Sequence, residues 1–187
     1  MRGAVLVGGA SRRMGRRKAM LEDAGQSWLA RIGAVLAERA DSIVLVGEGP
    51  VPRDATWPRL PDDPAVSGPL GGVLAALRSD PGAAWIVVAC DQPDLSLDAL
   101  DWLLAQRAPG VRAVLPRVDG HVQPLLSFWE AGAADWLIRQ APRAGEGPRA
   151  LADRADCATP DVPAAIASAW QDYDTPEELA RRATRRC

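Results

Sequence analysis

Three short runs, Gly3 to Val7, Ile43 to Val46 and Trp85 to Ala89, are apolar throughout, with no inside/outside alternation. Strands of that kind are buried on both faces, which implies a mainly parallel sheet covered by helices on either side. The segments between them carry helical spacing. Trp28, Leu29, Ile32, Val35 and Leu36 predict an amphipathic helix over roughly Ser27 to Arg39, with Ser27 as its N-cap. Leu70 to Leu77, Leu97 to Gln106 and Ala131 to Arg139 read as further helices, and Arg112 to Leu115 as another strand. Near the end, Thr175-Pro176-Glu177-Glu178 has the form of a helix start, with Thr175 capping, Pro176 at the first helical position and Glu178 closing a capping box. The expected fold is α/β: a three-layer α/β/α arrangement with Gly3 to Val7 in the interior of the sheet. A chain of 187 residues without internal repeats is expected to form one domain, residues 1–187.

In such sheets ligands bind beyond the carboxyl ends of the strands, so the residues after each apolar run are the ones to inspect. The first run leads into Gly8-Gly9-Ala10-Ser11-Arg12-Arg13-Met14-Gly15-Arg16-Arg17-Lys18. This loop is neither the G-x-G-x-x-G of dinucleotide-binding folds nor the G-x-x-x-x-G-K-[ST] of P-loops. It offers a glycine pair through which backbone amides can approach a ligand, a hydroxyl, and five cations in the seven positions from 12 to 18. Amides give directional donors and cations give charge, a combination that suits a polyphosphate. All but one of the 22 basic residues are arginine, asparagine is absent, and the single lysine is Lys18. An ammonium is a compact charge on a thin stem, whereas a planar guanidinium needs more room, so Lys18 is inferred to be irreplaceable by arginine. After the second run comes a Pro- and Gly-rich connection, Gly47 to Pro69, too long for a simple loop and therefore a candidate functional segment. It ends in Asp62-Asp63 and Gly68-Pro69-Leu70-Gly71-Gly72. The third run leads into Cys90-Asp91-Gln92-Pro93, where Asp91 suits a hard metal ion.

Other features set bounds. A net charge of −2 gives no basic field for nucleic acid. The three cysteines have no Cys-x-x-Cys spacing and suit a reducing compartment. No apolar stretch approaches the length of a membrane span. A cytoplasmic protein that binds neither nucleic acid nor membrane is expected. Cys90 reads as a core residue, His121 as a surface residue, and the arginine-rich run after Leu179 as a solvated helix end.

The stretch from Leu6 to Lys18 resembles the nucleotidyltransferase signature L-[AG]-G-G-x-S-x-R-M-G-x-x-K, and within that superfamily it is most similar to the molybdenum cofactor guanylyltransferase (MobA-like) group. The resemblance runs the length of the chain, through Asp62 and Gly68 to Gly72, Cys90-Asp91-Gln92-Pro93, Gln123-Pro124-Leu125, and Trp170 to Leu179. It implies a Rossmann-like sheet of the nucleotide-diphospho-sugar transferase type and transfer of GMP from GTP to a molybdopterin-type cofactor, with Mg²⁺ as cofactor and pyrophosphate released. It also implies transient contact with molybdoenzymes or other biosynthetic proteins. Residue by residue, it sets Leu6, Gly8 and Gly9 against the nucleotide, and Ser11, Arg13 and Lys18 on the triphosphate. Asp62 and the turn Gly68, Pro69, Leu70, Gly71 and Gly72 lie near base and ribose. Asp91 holds Mg²⁺, and Arg13, Lys18 and Asp91 form the catalytic set.

Two departures bear on specificity. Val7 stands where the group has a smaller residue. Asp172-Tyr173-Asp174-Thr175-Pro176-Glu177-Glu178-Leu179 stands where the group usually has N-x-N-T-P-E-[DE]-L, and its D-x-D start resembles the related cytidylyltransferases acting on the same pterin. Asp174 then becomes a second Mg²⁺ ligand, a role a carboxylate performs at least as well as an amide. GTP and CTP both stay open as donors, as does a non-catalytic nucleotide-binding accessory role.

Overall fold

The computed structural model describes residues 1–8, 18–23, 25–66, 68–140, 148–173 and 178. The elements begin with β1 (Arg2–Leu6), the short strands β2 (Glu22–Asp23) and β3 (Gln26–Ser27), α1 (Trp28–Ala37), β4 (Ser42–Val46) and β5 (Arg59–Leu60). They continue with α2 (Pro69–Ser79), β6 (Trp85–Ala89), α3 (Leu97–Ala105), β7 (Ala113–Val114), β8 (Arg117–Val118) and β9 (His121–Val122). Last come β10 (Ser127–Trp129), α4 (Ala133–Gln140) and β11 (Cys157–Ala158). Seven strands form the central sheet in the order β11-β7-β10-β6-β1-β4-β5, with β1 well inside it. β1 runs parallel to both its neighbours, and β10 is antiparallel to β6 and β7.

The uniform apolarity of the strands is explained by two cores, one on each face. Val5, Leu45, Ile86 and Val88 point to the face covered by Ile32 and Leu36 of α1 and Leu100 and Leu103 of α3. Ala4, Val46 and Val87 point to the other, under Val73 and Leu74 of α2 and Trp136 and Leu137 of α4. The chain leaves β1 for β4 across one face, then passes back over β1 to β6 across the other. That reversal is the switch point at which open α/β sheets form a crevice.

The sequence expectations for β1, β4, β6 and α1 to α4 hold to within a residue or two at each end. β10 was not foreseen. It is only three residues long, and its antiparallel pairing to β6 is a tertiary fact, carried by the buried Phe128 and Trp129. The β8–β9 hairpin also escaped, although Asp119-Gly120 is a recognised hairpin turn pair and both residues adopt positive φ (49° and 75°). The expected helix start at Thr175-Pro176-Glu177 lies outside the described residues. Among those described, no helix is long and apolar enough to cross a membrane.

Ser27 caps α1 as the sequence predicts. Its Oγ accepts from the Ala30 amide (3.0 Å) and donates to Asp54 Oδ1 (2.8 Å), and the residue is buried. Ser27→Ala therefore removes a cap and strands part of Asp54. It is expected to cost about 1–2 kcal/mol, at about 2–4 °C in Tm per kcal/mol for a chain of this size, as read by thermal melting.

Candidate active site

The register of β1 builds the site. Leu6, its last residue, lies opposite Val46 of β4 and Ala89 of β6, so Val7, Gly47 and Cys90 leave the sheet side by side. Two further hydrogen bonds hold these exits together: Val7 N to Val46 O (2.8 Å) and Cys90 N to Leu6 O (3.0 Å).

On the β6 side sits the feature with the most chemical content. Lys18, opening a single 3₁₀ turn (Lys18–Met20), places its Nζ 2.6 Å from Asp91 Oδ2, with the two side chains only 14 % and 16 % exposed. Gln92, buried next to Asp91, secures that loop. Its Oε1 accepts from the Ala89 amide (3.0 Å), and its Nε2 donates to the carbonyls of Leu125 and Trp170 (3.4 Å each). Leu126 follows in a buried left-handed conformation (φ 55°) and accepts from Trp170 Nε1 (2.9 Å). The Gln123-Pro124-Leu125 segment and the turn ending at Trp170 are thus tied to the Asp91 loop through one carboxamide.

On the β4 side the wall is made of glycines. A side chain on Gly47 (φ +106°) would stand 2.6 Å from the Gly8 nitrogen, so only glycine allows the two exits to run so close. A Cβ on Gly72 would meet Leu6 Cδ2 at 3.0 Å and Asp62 Oδ1 at 3.1 Å, and one on Gly8 would meet Asp62 Oδ2 at 3.5 Å. The Asp62 carboxylate therefore lies in a notch between Gly8 and Gly72. Partial loss of water there, with the Glu48 carboxylate facing it, holds its pKa above the usual carboxylate range. Gly68, at φ +71°, caps α2, Pro69 starts it, and Leu70 anchors it in the core. Gly71 N bonds Gly68 O (2.9 Å) and Gly71 O accepts from Asp63 N (3.1 Å), closing the turn on the Asp62–Asp63 segment. Arg59 braces the opposite lip, donating to the carbonyls of Gly47 (2.7 Å) and Gly49 (2.8 Å).

The structure thus gathers Leu6, Gly8, Asp62 and Gly72 on one flank of the β1 exit, and Lys18 and Asp91 on the other. Gly9, Ser11, Arg13 and Asp174 lie outside the described residues. Sequence reasoning assigned no individual role to Gly47, Arg59 or Gln92, although it placed the first two in a candidate functional segment and the third in a motif. Gly47 had a usable signal, since a glycine directly after an apolar run repeats the pattern of Val7-Gly8.

A crevice at a strand crossover, rimmed by glycines and carrying opposed charges, defines an α/β protein with a candidate ligand site at its switch point. Residues 3–158 match the MobA-like NTP transferase domain, and the chain belongs to that family. It is 35 % identical over 133 residues to a probable molybdenum cofactor guanylyltransferase of Pelotomaculum thermopropionicum, covering 70 % of this chain and 63 % of that protein. It is also 35 % identical over 166 residues to a molybdenum cofactor biosynthesis bifunctional protein of Synechocystis, covering 83 % of this chain and 46 % of that protein. The chain thus spans less than two thirds of either relative. The molybdopterin-guanine dinucleotide biosynthesis protein A of Archaeoglobus fulgidus shares the fold, with a TM-score of 0.79 at 23 % identity over the full length of both chains.

Cys90 follows β6 in the core beside Asp91, and burial together with that carboxylate pushes its thiol up to about 12. A thiol raised that far carries almost none of the thiolate, the reactive form, at pH 8. Iodoacetamide at pH 8 is expected to leave Cys90 unmodified in the native protein and to alkylate it once denatured, as read by peptide mass mapping. Rapid native alkylation would contradict its assignment to the core.

Proposed function

We propose that this protein is a nucleotidyltransferase that joins GMP from GTP to a molybdopterin-type cofactor and releases pyrophosphate, working with Mg²⁺ in the cytoplasm. The observation that carries this reading is the Lys18–Asp91 pair at the sheet's carboxyl edge, in a chain that belongs to the MobA-like family.

Among the described residues no group of three or more His, Cys, Asp or Glu side chains could enclose a metal. Mg²⁺ keeps much of its water and takes one or two carboxylates together with substrate phosphates, so it does not require such an enclosure. Asp91 is the carboxylate proposed to hold it, with Asp174 as a second. When bound, Mg²⁺ supplies charge neutralisation to the phosphates during transfer. Lys18 and Asp91 satisfy each other in the described state. With nucleotide bound, Lys18 would hold a phosphate oxygen and Asp91 would hold the metal, so neither partly buried charge would lose its compensation. Gly8 and Gly9 leave room for backbone amides against the nucleotide, and Ser11 and Arg13 add contacts to the triphosphate.

The acceptor's phosphate is already ionised at neutral pH, so no base is needed to generate the nucleophile. Its oxygen forms a bond to the α-phosphorus as the bond from that phosphorus to the bridging oxygen breaks, and pyrophosphate leaves with the electron pair. Carboxylates only accept hydrogen bonds. Guanine offers two adjacent donors, its ring N–H and amino group, whereas cytosine offers a single amino donor beside acceptors. The notch formed by Asp62 with Glu48 facing it supports GTP over CTP.

Pyrophosphate release with molybdopterin as acceptor is expected to be fastest with GTP among GTP, CTP, ATP and UTP. Faster release with CTP would replace the guanylyl reading by a cytidylyl one, and nucleotide binding without any release would favour the accessory role. Asp91→Ala is expected to abolish turnover with the fold intact. Lys18→Arg is expected to lose at least about tenfold in kcat/KM, or about 1.4 kcal/mol, while Arg17→Lys stays near the unaltered protein. Equal activity of these two variants would reduce Lys18 to an ordinary cation.

A further inference from the structure

Tyr173 is the protein's single tyrosine, and it is buried although it belongs to no helix or strand. Its hydroxyl donates to Asp94 Oδ2 at 2.5 Å. Its ring stands edge-on to Trp28, with centroids 5.8 Å apart, and with Trp28 and Leu21 it forms a small apolar cluster separate from both faces of the sheet. The two loops that Tyr173 joins are the two that meet at the active site. Leu21 lies three residues beyond Lys18 and its amide donates to Lys18 O (3.1 Å), while its own carbonyl accepts from Trp28 N (2.9 Å). Asp94 lies three residues beyond Asp91. The Lys18–Asp91 ion pair thus has a second tie three residues downstream on both strands of the crossing, and Tyr173 makes it from a third segment of chain.

We infer that Tyr173 is a positioning residue: through Asp94 on one side and the Leu21–Trp28 cluster on the other, it sets the separation of the Lys18 and Asp91 loops. Hydrogen bonding and packing contribute differently. The cluster holds the lysine loop against α1 by burial, which has no direction. The hydroxyl gives direction, because a short bond to a carboxylate fixes the Asp94 loop relative to the ring. The main core reaches both loops through Ala19 and Leu95, again by burial without direction, so the directional tie is the Tyr173 hydroxyl.

This inference rests on the proposed roles of Lys18 and Asp91, but its test does not need turnover. Lys18 is the only lysine, so acylation by an N-hydroxysuccinimide ester, followed by peptide mapping, reports on one side chain. An amine in contact with a carboxylate and only 14 % exposed is shielded from the ester, and loosening the two loops uncovers it. The amino terminus, whose Met1 nitrogen lies on Asp41 (2.6 Å) at the amino end of β1, serves as an internal control. Tyr173→Phe keeps the ring and removes the hydroxyl. It is expected to raise the acylation rate of Lys18 about fivefold, the effect of one net hydrogen bond, with the amino terminus unchanged. Asp94→Ala is expected to do the same, and serves if Tyr173→Phe does not fold. Asp94→Asn, whose amide oxygen still accepts, is expected to stay near the unaltered protein. In pyrophosphate assays the same two loosened variants are expected to need more Mg²⁺ for half-maximal rate. Increased Lys18 acylation in a protein that turns over no nucleotide would uphold the clamp and overturn the proposed reaction. Unchanged Lys18 acylation in both loosened variants, or a parallel rise at the amino terminus, would overturn the clamp.

Discussion

The ion pair of Lys18 and Asp91 is the contact on which the carboxyl edge of the sheet depends. Its 2.6 Å separation and low exposure mean that each charge has given up much of its water and relies on the other. Removing one partner of such a pair strands the second, a larger loss than the pair itself is worth. That explains how the neighbouring structure is spent. The β1–β6 register and the Cys90–Leu6 bond bring the Asp91 loop to the edge, and Gln92 then ties it to Leu125 and Trp170. In the described state the two groups are in direct contact, so a phosphate and its counter-ion would be taken up only as they part.

The opposite flank works by subtraction. Gly8 and Gly72 leave the space that the Asp62 carboxylate occupies, and Gly47 lets the β1 and β4 exits run against each other. The site therefore has polarity: a cation–carboxylate pair on the β6 side, and carboxylates with carbonyls held back by Arg59 on the β4 side. We propose that phosphate lies with the first and a donor-bearing base with the second, as the proposed guanylyl transfer requires.

What could be read from the sequence divides along the range of the forces involved. Trp85 to Ala89 was legible as a strand to the residue because burial on both faces leaves a local mark, and Ser27 was legible as a cap because capping is settled within three residues. Lys18 and Asp91 were legible one at a time, as a solitary lysine in a phosphate-loop signature and as a carboxylate after an apolar run. Their pairing was not, because it joins positions 73 residues apart. The same holds for Gln92, quoted in its motif without a role because its carbonyl partners come from distant turns, and for Tyr173, whose partner Asp94 is 79 residues away. β10 escaped for a related reason: three residues leave too short a pattern, and its direction is chosen by the strands it joins.

The central claim is that the Lys18 ammonium leaves Asp91 for nucleotide phosphate when the metal-bound nucleotide enters. A chain with one lysine, labelled with ¹⁵N-lysine, gives a single side-chain Nζ signal in NMR. The account predicts that this signal shifts on titration with Mg²⁺ and GTP, following the same saturation curve as binding measured by calorimetry, and that Asp91→Ala alters its starting position. Calorimetric binding of Mg²⁺ and GTP with no change in the Lys18 signal would contradict it.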